Sequence, residues 1–141
     1  MKTLACSFAA CLVLGLGACG GGDDSSSQSS GTATTPDEMA IASTLRKYET
    51  ATKNHDAELF CTQVLANKKN PQNGSDPKLC PITIKAVMSD PTSLLSKAVK
   101  IDVQEYVVNG RYANVKALVN GKPQTLRLSN GQNGWRFRSL G

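Results

Sequence analysis

The sequence has few of the residue types on which most catalytic and metal sites depend. Its 141 residues contain one histidine, His55, and aromatic residues make up 5% of the chain. It has no glycine-rich phosphate loop, no Cys-x-x-Cys pair and no spacing of serine, histidine and aspartate suited to nucleophilic catalysis. A single histidine without a second ligand or a nearby nucleophile excludes most metal sites and most catalytic mechanisms that use histidine. We therefore expect no enzyme activity, no cofactor and no bound metal.

The chain also lacks an apolar run near its N-terminus that is long enough to span a membrane. Leu4 to Ala18 is a stretch of 15 uncharged residues, preceded by Lys2 and followed by a glycine run and Asp23-Asp24. A membrane-spanning helix needs about 20 apolar residues. A shorter run behind a basic residue is typical of a signal peptide, which we predict over residues 1–18.

The end of this stretch, Leu16-Gly17-Ala18-Cys19, resembles a bacterial lipobox. In lipoproteins with this motif, a diacylglycerol is attached to the cysteine and the chain is cut just before it. The resemblance implies an acylated, palmitate-bearing Cys19 that anchors the protein on the extracytoplasmic side of the cell membrane or outer membrane. Two or more acyl chains hold a protein stably on a membrane, whereas a single chain gives only marginal membrane binding. Cys11 is a rival site with a shorter apolar region, and an ordinary secretory signal is the other alternative.

Two of the five cysteines, Cys61 and Cys80, remain after the signal is removed and Cys19 is acylated. A cysteine pair in an exported domain predicts a disulfide. Closing a loop of about 20 residues would stabilise a small domain by roughly 3 kcal/mol. A redox or metal-binding pair is the alternative, but neither the spacing nor a second ligand supports it.

Residues 19–35 are expected to form a flexible tether. From Gly20 to Thr35 the segment contains glycine, serine, threonine, aspartate, glutamine and alanine, with no large apolar side chain. Such a composition cannot bury enough surface to offset the entropy of ordering. One folded domain, residues 36–141, remains.

In the first half of this domain the apolar residues follow the spacing of helices. Thr35-Pro36-Asp37-Glu38 is typical of a helix start, with a capping box and a proline in the first turn. We predict that this helix runs from Pro36 to about Lys53. Residues at helical spacing form a stripe along one of its faces, which consists of Ile41, Leu45, Tyr48 and Thr52. We predict a second helix capped by Asp56 and a short third helix from Pro81 through Met88.

After Lys97 the apolar residues no longer follow helical spacing but alternate with polar ones. Asn-Gly pairs separate these alternating runs. Asn-Gly is a strong hairpin signal, because both residues tolerate the positive φ of a type I′ turn. We predict four antiparallel strands in a meander, at about 98–108, 111–119, 123–129 and 134–140. The apolar alternation changes phase near Gln104-Glu105, which indicates a β-bulge that bends the sheet. The fold class is therefore α+β.

The face of the sheet opposite the apolar residues is predicted to be basic. From Lys97 onward there are eight lysines or arginines against Asp102 and Glu105. The candidate binding surface for anionic headgroups or an acidic partner contains Lys100, Lys116, Arg127, Arg136 and Arg138. Asp102 should face solvent, whereas the direction of Glu105 stays open. The alternative is a solvated face with no function.

Three short stretches carry a resemblance to a known family. Tyr48-Glu49-Thr50-Ala51, His55-Asp56-Ala57-Glu58 and Gly134-Trp135-Arg136-Phe137, in this order of helices and strands, are similar to the short bacterial lipoproteins of the nuclear transport factor 2-like family. The resemblance implies a cone, in which N-terminal helices pack on a curved four-stranded antiparallel meander. A cysteine pair around the second helix also recurs in these members.

The family contains enzymes, namely ketosteroid isomerase-like and polyketide cyclase-like proteins, which place an Asp base inside the cone. This sequence departs from that pattern, since only Glu105 could point inward among the acids of the strands. We expect a lipid-anchored cell-envelope protein whose domain is a non-enzymatic module. It would bind a small apolar ligand in the cone, or a protein partner or second copy through the sheet, and not nucleic acid. A small envelope enzyme of the same fold is the alternative.

Overall fold

A computed structural model describes residues 27–66 and 79–139. The helices are α1 (Pro36–Asn54), α2 (Ala57–Leu59), which continues as a π-helix (Phe60–Val64), and α3 (Leu79–Ser89), followed by a 3₁₀ turn (Leu94–Ser96). The strands are β1 (Ser27–Ser30), β2 (Ile101–Asn109), β3 (Tyr112–Val119), β4 (Lys122–Gly131) and β5 (Gly134–Ser139). The predicted α+β class is confirmed. Within the described ranges, every helix is too short or too polar to cross a membrane.

The first helix begins as its sequence predicts. The Thr35 hydroxyl accepts a hydrogen bond from the Glu38 N–H at 3.3 Å, and the Glu38 carboxylate accepts one from the Thr35 N–H at 2.9 Å. This reciprocal pair is a capping box, and it satisfies backbone donors that a helix start leaves without partners. The predicted stripe is buried and consists of Ile41, Leu45, Tyr48 and Thr52.

The second helix begins at its predicted cap but then widens. The Asp56 carboxylate accepts from the Leu59 N–H at 2.8 Å, as a capping side chain does. From Phe60 the turns become π-helical, and the Leu65 N–H donates to the Phe60 carbonyl at 3.1 Å. The chain then joins the free edge of β5, where the Ala66 N–H donates to the Phe137 carbonyl at 2.8 Å. The helical spacing gave no sign of this widening, because the buried residues here, Ala57, Phe60, Cys61 and Val64, are separated by the same three or four positions that an α-helix would show.

The sheet is an antiparallel meander with strand order β1-β2-β3-β4-β5. Its register shifts between Val103 and Glu105, where the sequence predicted a bulge. Tyr106 and Val108 thereby return to the buried face, so the prediction of the bulge is confirmed.

The Asn-Gly pairs do not all turn in the same way. Asn120 and Gly121 both have positive φ, at 50° and 79°, as a type I′ turn requires. At the β2–β3 turn Gly110 alone has positive φ, at 52°. Asn109 is still paired with Tyr112 in the ladder, so the two turn residues are Gly110 and Arg111. The prediction that both residues of the pair supply positive φ is wrong there.

A fifth strand extends the predicted four. β1 lies inside the segment predicted to be a tether and pairs with β2, from Ser27 opposite Val108 to Ser30 opposite Glu105. The sequence gave no signal for it, because β1 has no apolar alternation. Pairing with an open sheet edge needs only backbone donors and acceptors, which serine and glutamine supply as well as valine does.

The core lies between the helices and the inner face of the sheet. Tyr48 packs between two aromatic rings, with centroid distances of 5.5 Å to Phe60 and 5.1 Å to Phe137. These separations are typical of favourable aromatic pairs. Trp135, Phe60 and Phe137 are the largest fully buried side chains. Tyr48 is therefore a core residue, as the helical stripe predicted.

Candidate functional site

The predicted lipidation site, Cys19, lies outside the described residues. The predicted signal peptide over 1–18 also lies outside them. The geometry that follows therefore concerns the domain from Ser27 onward.

The predicted disulfide between Cys61 and Cys80 is confirmed. The two residues are bonded through sulfur, and their Cα atoms lie 6.0 Å apart. Cys61 is buried in the π-helix, and Cys80 lies in the first turn of α3. The bond therefore ties α3 to the second helix and has a structural role.

A cleft of about 240 Å³ opens between α1 and β2. Its apolar walls come from Ala42, Leu45, Ile101 and Val103, and its polar groups from Arg46, Glu49, Asp102 and Tyr106. Apolar and polar side chains thus line the cleft in equal number, so a ligand with both an apolar and a polar part would match it. The sheet and the long helix thus leave space for a small ligand between them.

Tyr106 is the buried titratable group of this cleft. Burial raises the pKa of its phenol, the nearby Glu38 charge raises that pKa further, and the Arg46 charge opposes the rise. A phenol with a raised pKa keeps its proton at neutral pH. Tyr106 therefore contributes a protonated phenol to the cleft and cannot serve as a base at neutral pH.

The two glutamates of α1 near the cleft bind backbone groups. Glu49 accepts a hydrogen bond from the Ile101 N–H at 2.6 Å. Glu38 is fully buried, and its Oε2 accepts from the Thr34 N–H at 2.8 Å and from the Thr34 hydroxyl at 3.0 Å. Carboxylates that hold backbone donors in this way orient the chain. We assign both a structural role.

The direction of Glu105, which the sequence left open, is outward. Its carboxylate lies 2.6 Å from the Lys116 ammonium, and the Lys116 side chain is 60% exposed. Lys116 stands between the buried Val115 and Ala117, so it lies on the outer face of the sheet. Glu105 is therefore not a base inside the domain. Asp102 is exposed, as predicted.

His55 lies in the turn between the first two helices, as predicted. It is exposed and has a left-handed backbone with φ of 51°. Its Nε2 lies 3.1 Å from the Ser96 carbonyl oxygen. This contact joins the end of α1 to the 3₁₀ turn, which is a structural role.

The five predicted basic residues do not form one continuous surface. Arg127 lies opposite Ser139 in the β4–β5 ladder, and Arg136 lies opposite Ser129. Lys116 is paired with Glu105, and Lys100 lies near the opposite end of the sheet, where its N–H donates to the Asn120 side chain. The structure thus brings Arg127, Arg136 and Arg138 to one end and leaves Lys100 roughly 20 Å away along the strands.

Two residues that the sequence analysis did not single out complete this end of the sheet. Tyr112 is 57% exposed, and the Arg138 guanidinium lies 5.0 Å from its ring centroid. Arg111, in the adjacent turn, points its Nε toward the Asn130 carbonyl at 3.5 Å. The sequence did carry a signal for Tyr112. Ala113 lies on the apolar face of β3, so its neighbour Tyr112 must lie on the opposite, exposed face.

Arg136 is more enclosed than the other arginines. Its guanidinium donates to the Trp135 carbonyl at 2.8 Å, and burial lowers the pKa of this guanidinium from its usual value. It lines a cavity of about 80 Å³ with Leu65 and Ala66 at the free edge of β5. Arginine stays charged even with this shift, so Arg136 adds a fixed positive charge.

Within residues 27–66 and 79–139, the structure has no group of three or more histidine, cysteine, aspartate or glutamate residues that could hold a metal ion. Comparison with protein-family models, with curated proteins and with solved structures finds no match for this chain.

Proposed function

We propose that this chain is an exported, lipid-anchored cell-envelope protein whose domain binds a small apolar ligand without transforming it. The anchor is supported by the uncharged stretch from Leu4 to Ala18 and by Cys19 at its end. The bond between Cys61 and Cys80 supports the compartment, because disulfides persist outside the reducing cytosol.

The domain is proposed to be a cone of the nuclear transport factor 2-like type. Helix α1 lays its apolar stripe on the inner face of a meander, and the bulge between Val103 and Glu105 interrupts β2. Bulges bend a strand and increase its twist, which is how a sheet curves around a helix.

The observation that carries the binding function is the cleft between α1 and β2. Its volume of about 240 Å³ suits a ligand with a short apolar chain or ring. The Tyr106 phenol, which keeps its proton at neutral pH, offers a polar ligand group one hydrogen-bond donor. The neighbouring glutamates, Glu38 and Glu49, are engaged by backbone donors, which favours binding over acid–base catalysis.

The anchor is tested by growing the export host with a radiolabelled or clickable palmitate analogue. We expect the chain to carry the label and to sediment with membranes. The variant Cys19→Ser should lose both the label and the cleavage before position 19, whereas Cys11→Ser should keep both. A labelled Cys19→Ser variant would contradict the assignment of Cys19.

The cleft is tested by calorimetric titration of the purified chain with octanoate, an apolar chain with one polar group. Ala42→Trp places a large side chain in the cleft and should reduce octanoate affinity at least tenfold. Ala40→Trp is the matched control, because Ala40 is exposed on the same helix outside the cleft. Equal affinities of the two variants would exclude the cleft as the octanoate site.

A further inference from the structure

The C-terminal part of the chain carries positive charge without acidic residues. From Tyr106 to Gly141 the sequence has no aspartate or glutamate, but it has six lysines or arginines. Four of these lie near one end of the sheet and are called the arginine patch: Arg111, Arg127, Arg136 and Arg138. The nearest acid in sequence, Glu105, is already paired with Lys116. The patch therefore presents a positive field to an anionic partner.

An exposed aromatic ring stands within this patch. Tyr112 is more than half exposed, and Arg138 lies over its ring. An amphipathic tyrosine ring is favoured at the headgroup level of a membrane, where one end is apolar and the other is wet. Arginine can bind phosphate through two parallel hydrogen bonds. This combination fits a phosphate-bearing surface.

The N-terminal segment enters the sheet at the same end. Ser27 pairs with Val108, Val108 with Ala113, Ala113 with Leu128, and Leu128 with Phe137, so these residues form one row across the five strands. Arg127, Arg136 and Arg138 are the immediate chain neighbours of the last two residues of this row. The first residue of β1 therefore lies at the end of the sheet that bears the patch.

The covalent distance to the predicted anchor is short. Ser27 follows Cys19 by eight residues, and a fully extended chain of that length spans at most about 29 Å. A lipid on Cys19 would therefore hold this end of the sheet close to the headgroups. The position of the chain entry favours the membrane over an acidic protein as the partner of the patch.

We propose that the arginine patch and Tyr112 contact the anionic phospholipid headgroups of the membrane in which the chain is anchored. The inference rests on the proposed lipid anchor at Cys19. The contact fixes the domain in one orientation on the bilayer. Each basic residue near an anionic surface strengthens the attraction roughly fivefold, and salt weakens it.

The test uses the acylated full chain, added to vesicles of phosphatidylcholine alone or with about one third phosphatidylglycerol. Hydroxyl-radical footprinting read by mass spectrometry reports the exposure of Tyr112. Leu94, which is 78% exposed in the 3₁₀ turn near His55, serves as the internal reference. We expect labelling of Tyr112 to fall about fivefold when phosphatidylglycerol is present, to recover at about 0.5 M NaCl, and to leave Leu94 unchanged.

Matched variants separate charge from folding. The double variant R127Q/R138Q should reduce the protection of Tyr112 to less than about twofold, whereas R127K/R138K should keep it. The control K53Q/K85Q removes two exposed charges from the helices and should behave as the parent chain. Each variant is compared with itself in the two vesicle types, because Arg138 also shields Tyr112 directly. Thermal unfolding checks that all variants fold.

The outcomes distinguish this proposal from the anchor on which it rests. Flotation of the chain with both vesicle types, with Tyr112 protected only by the anionic vesicles, supports both. Flotation without protection, or equal protection by both vesicle types, overturns the headgroup contact and leaves the anchor. Failure to float on phosphatidylcholine overturns the anchor. Protection by polyglutamate but not by vesicles assigns the patch to an acidic protein, and protection by concentrated chain alone assigns it to a second copy.

Discussion

Among the residues that the structure describes, the two longest helices, α1 and α3, are attached to the domain in different ways. Three side chains of helix α1 bind backbone groups in the sheet or just before it. Thr44 donates to the Trp135 carbonyl at 2.9 Å, Glu49 accepts from the Ile101 N–H at 2.6 Å, and Thr52 accepts from the Val99 N–H, two residues before β2, at 3.1 Å. Helix α3 fully buries only Met88, exposes Leu79 and Ile82, and is covalently tied through Cys80.

This difference separates two ways of fixing a helix. Hydrogen bonds from side chains to the backbone of the strands and of the segment before β2 set both the rotation of α1 and its position along its axis, because a shift by one residue would leave these backbone groups without partners. A disulfide sets one distance and leaves rotation to apolar packing. We therefore expect α1 to be the rigid part of the helical layer and α3 the more easily loosened part.

The largest expected contrast compares the same substitution in the two helices. Ile41→Ala removes a fully buried side chain of α1 and should destabilise the domain by about 4 kcal/mol. Ile82→Ala removes a side chain of α3 that is 65% exposed and should change stability by less than about 0.5 kcal/mol. Urea unfolding measures both. Similar losses would show that α3 packs more tightly than its exposure indicates.

Removing the disulfide should affect α3 more than α1. The double variant Cys61→Ala with Cys80→Ala should lose roughly 3 kcal/mol of stability, because a cross-link restricts the unfolded chain. Amide hydrogen exchange should show faster exchange in α3, with α1 close to the parent. Uniform acceleration in both helices would contradict the view that the bond acts mainly on α3.

A smaller effect is expected at the contact between α1 and the only tryptophan. The Trp135 indole N–H donates to the Asp37 carboxylate at 3.0 Å, and the residue is 2% exposed. Asp37→Ala should cost about 1 to 2 kcal/mol, since it leaves a buried donor without its partner. Tryptophan fluorescence should shift in the folded state. Glu58→Ala, in the first turn of α2, is a control that should leave the fluorescence unchanged.

The smallest effect concerns high pH. Burial raises the pKa of Tyr48 on the inner face of α1 above its ordinary value of 10.0. The folded state thus favours the protonated phenol, so its contribution is intact below about pH 10 and is lost as the pH rises through the folded pKa. We expect unfolding free energy to fall as the pH rises above about 10, and to fall less in Tyr48→Phe. An identical decline in both proteins would remove Tyr48 as a cause.

The elements with local signals were predictable from the sequence. The capping box at Thr35 and Glu38, the cap at Asp56 and the bulge before Glu105 all depend on residues within one turn or one strand. The disulfide was predictable because only two cysteines remain after the predicted processing.

The features that depend on distant parts of the chain were not predictable. The cleft needs the packing distance between Leu45 and Ile101, which no spacing in the sequence encodes. The outward pairing of Glu105 with Lys116 depends on how the bulge rotates the strand. To predict β1 one would have to know that the edge of β2 is open, which is a property of the completed sheet. The separation of Lys100 from the three arginines likewise follows from strand register.

The carboxylate of Glu49 also has a consequence for self-assembly. An unpaired sheet edge can add a strand from another molecule and so begin open-ended growth. β1 pairs with β2 only as far as Glu105, and at Ile101 the N–H is already bound to Glu49 at 2.6 Å. An incoming strand would have to displace a charged acceptor to gain a neutral one. The helix that shapes the cleft thus also blocks strand addition at the part of the β2 edge that β1 leaves uncovered.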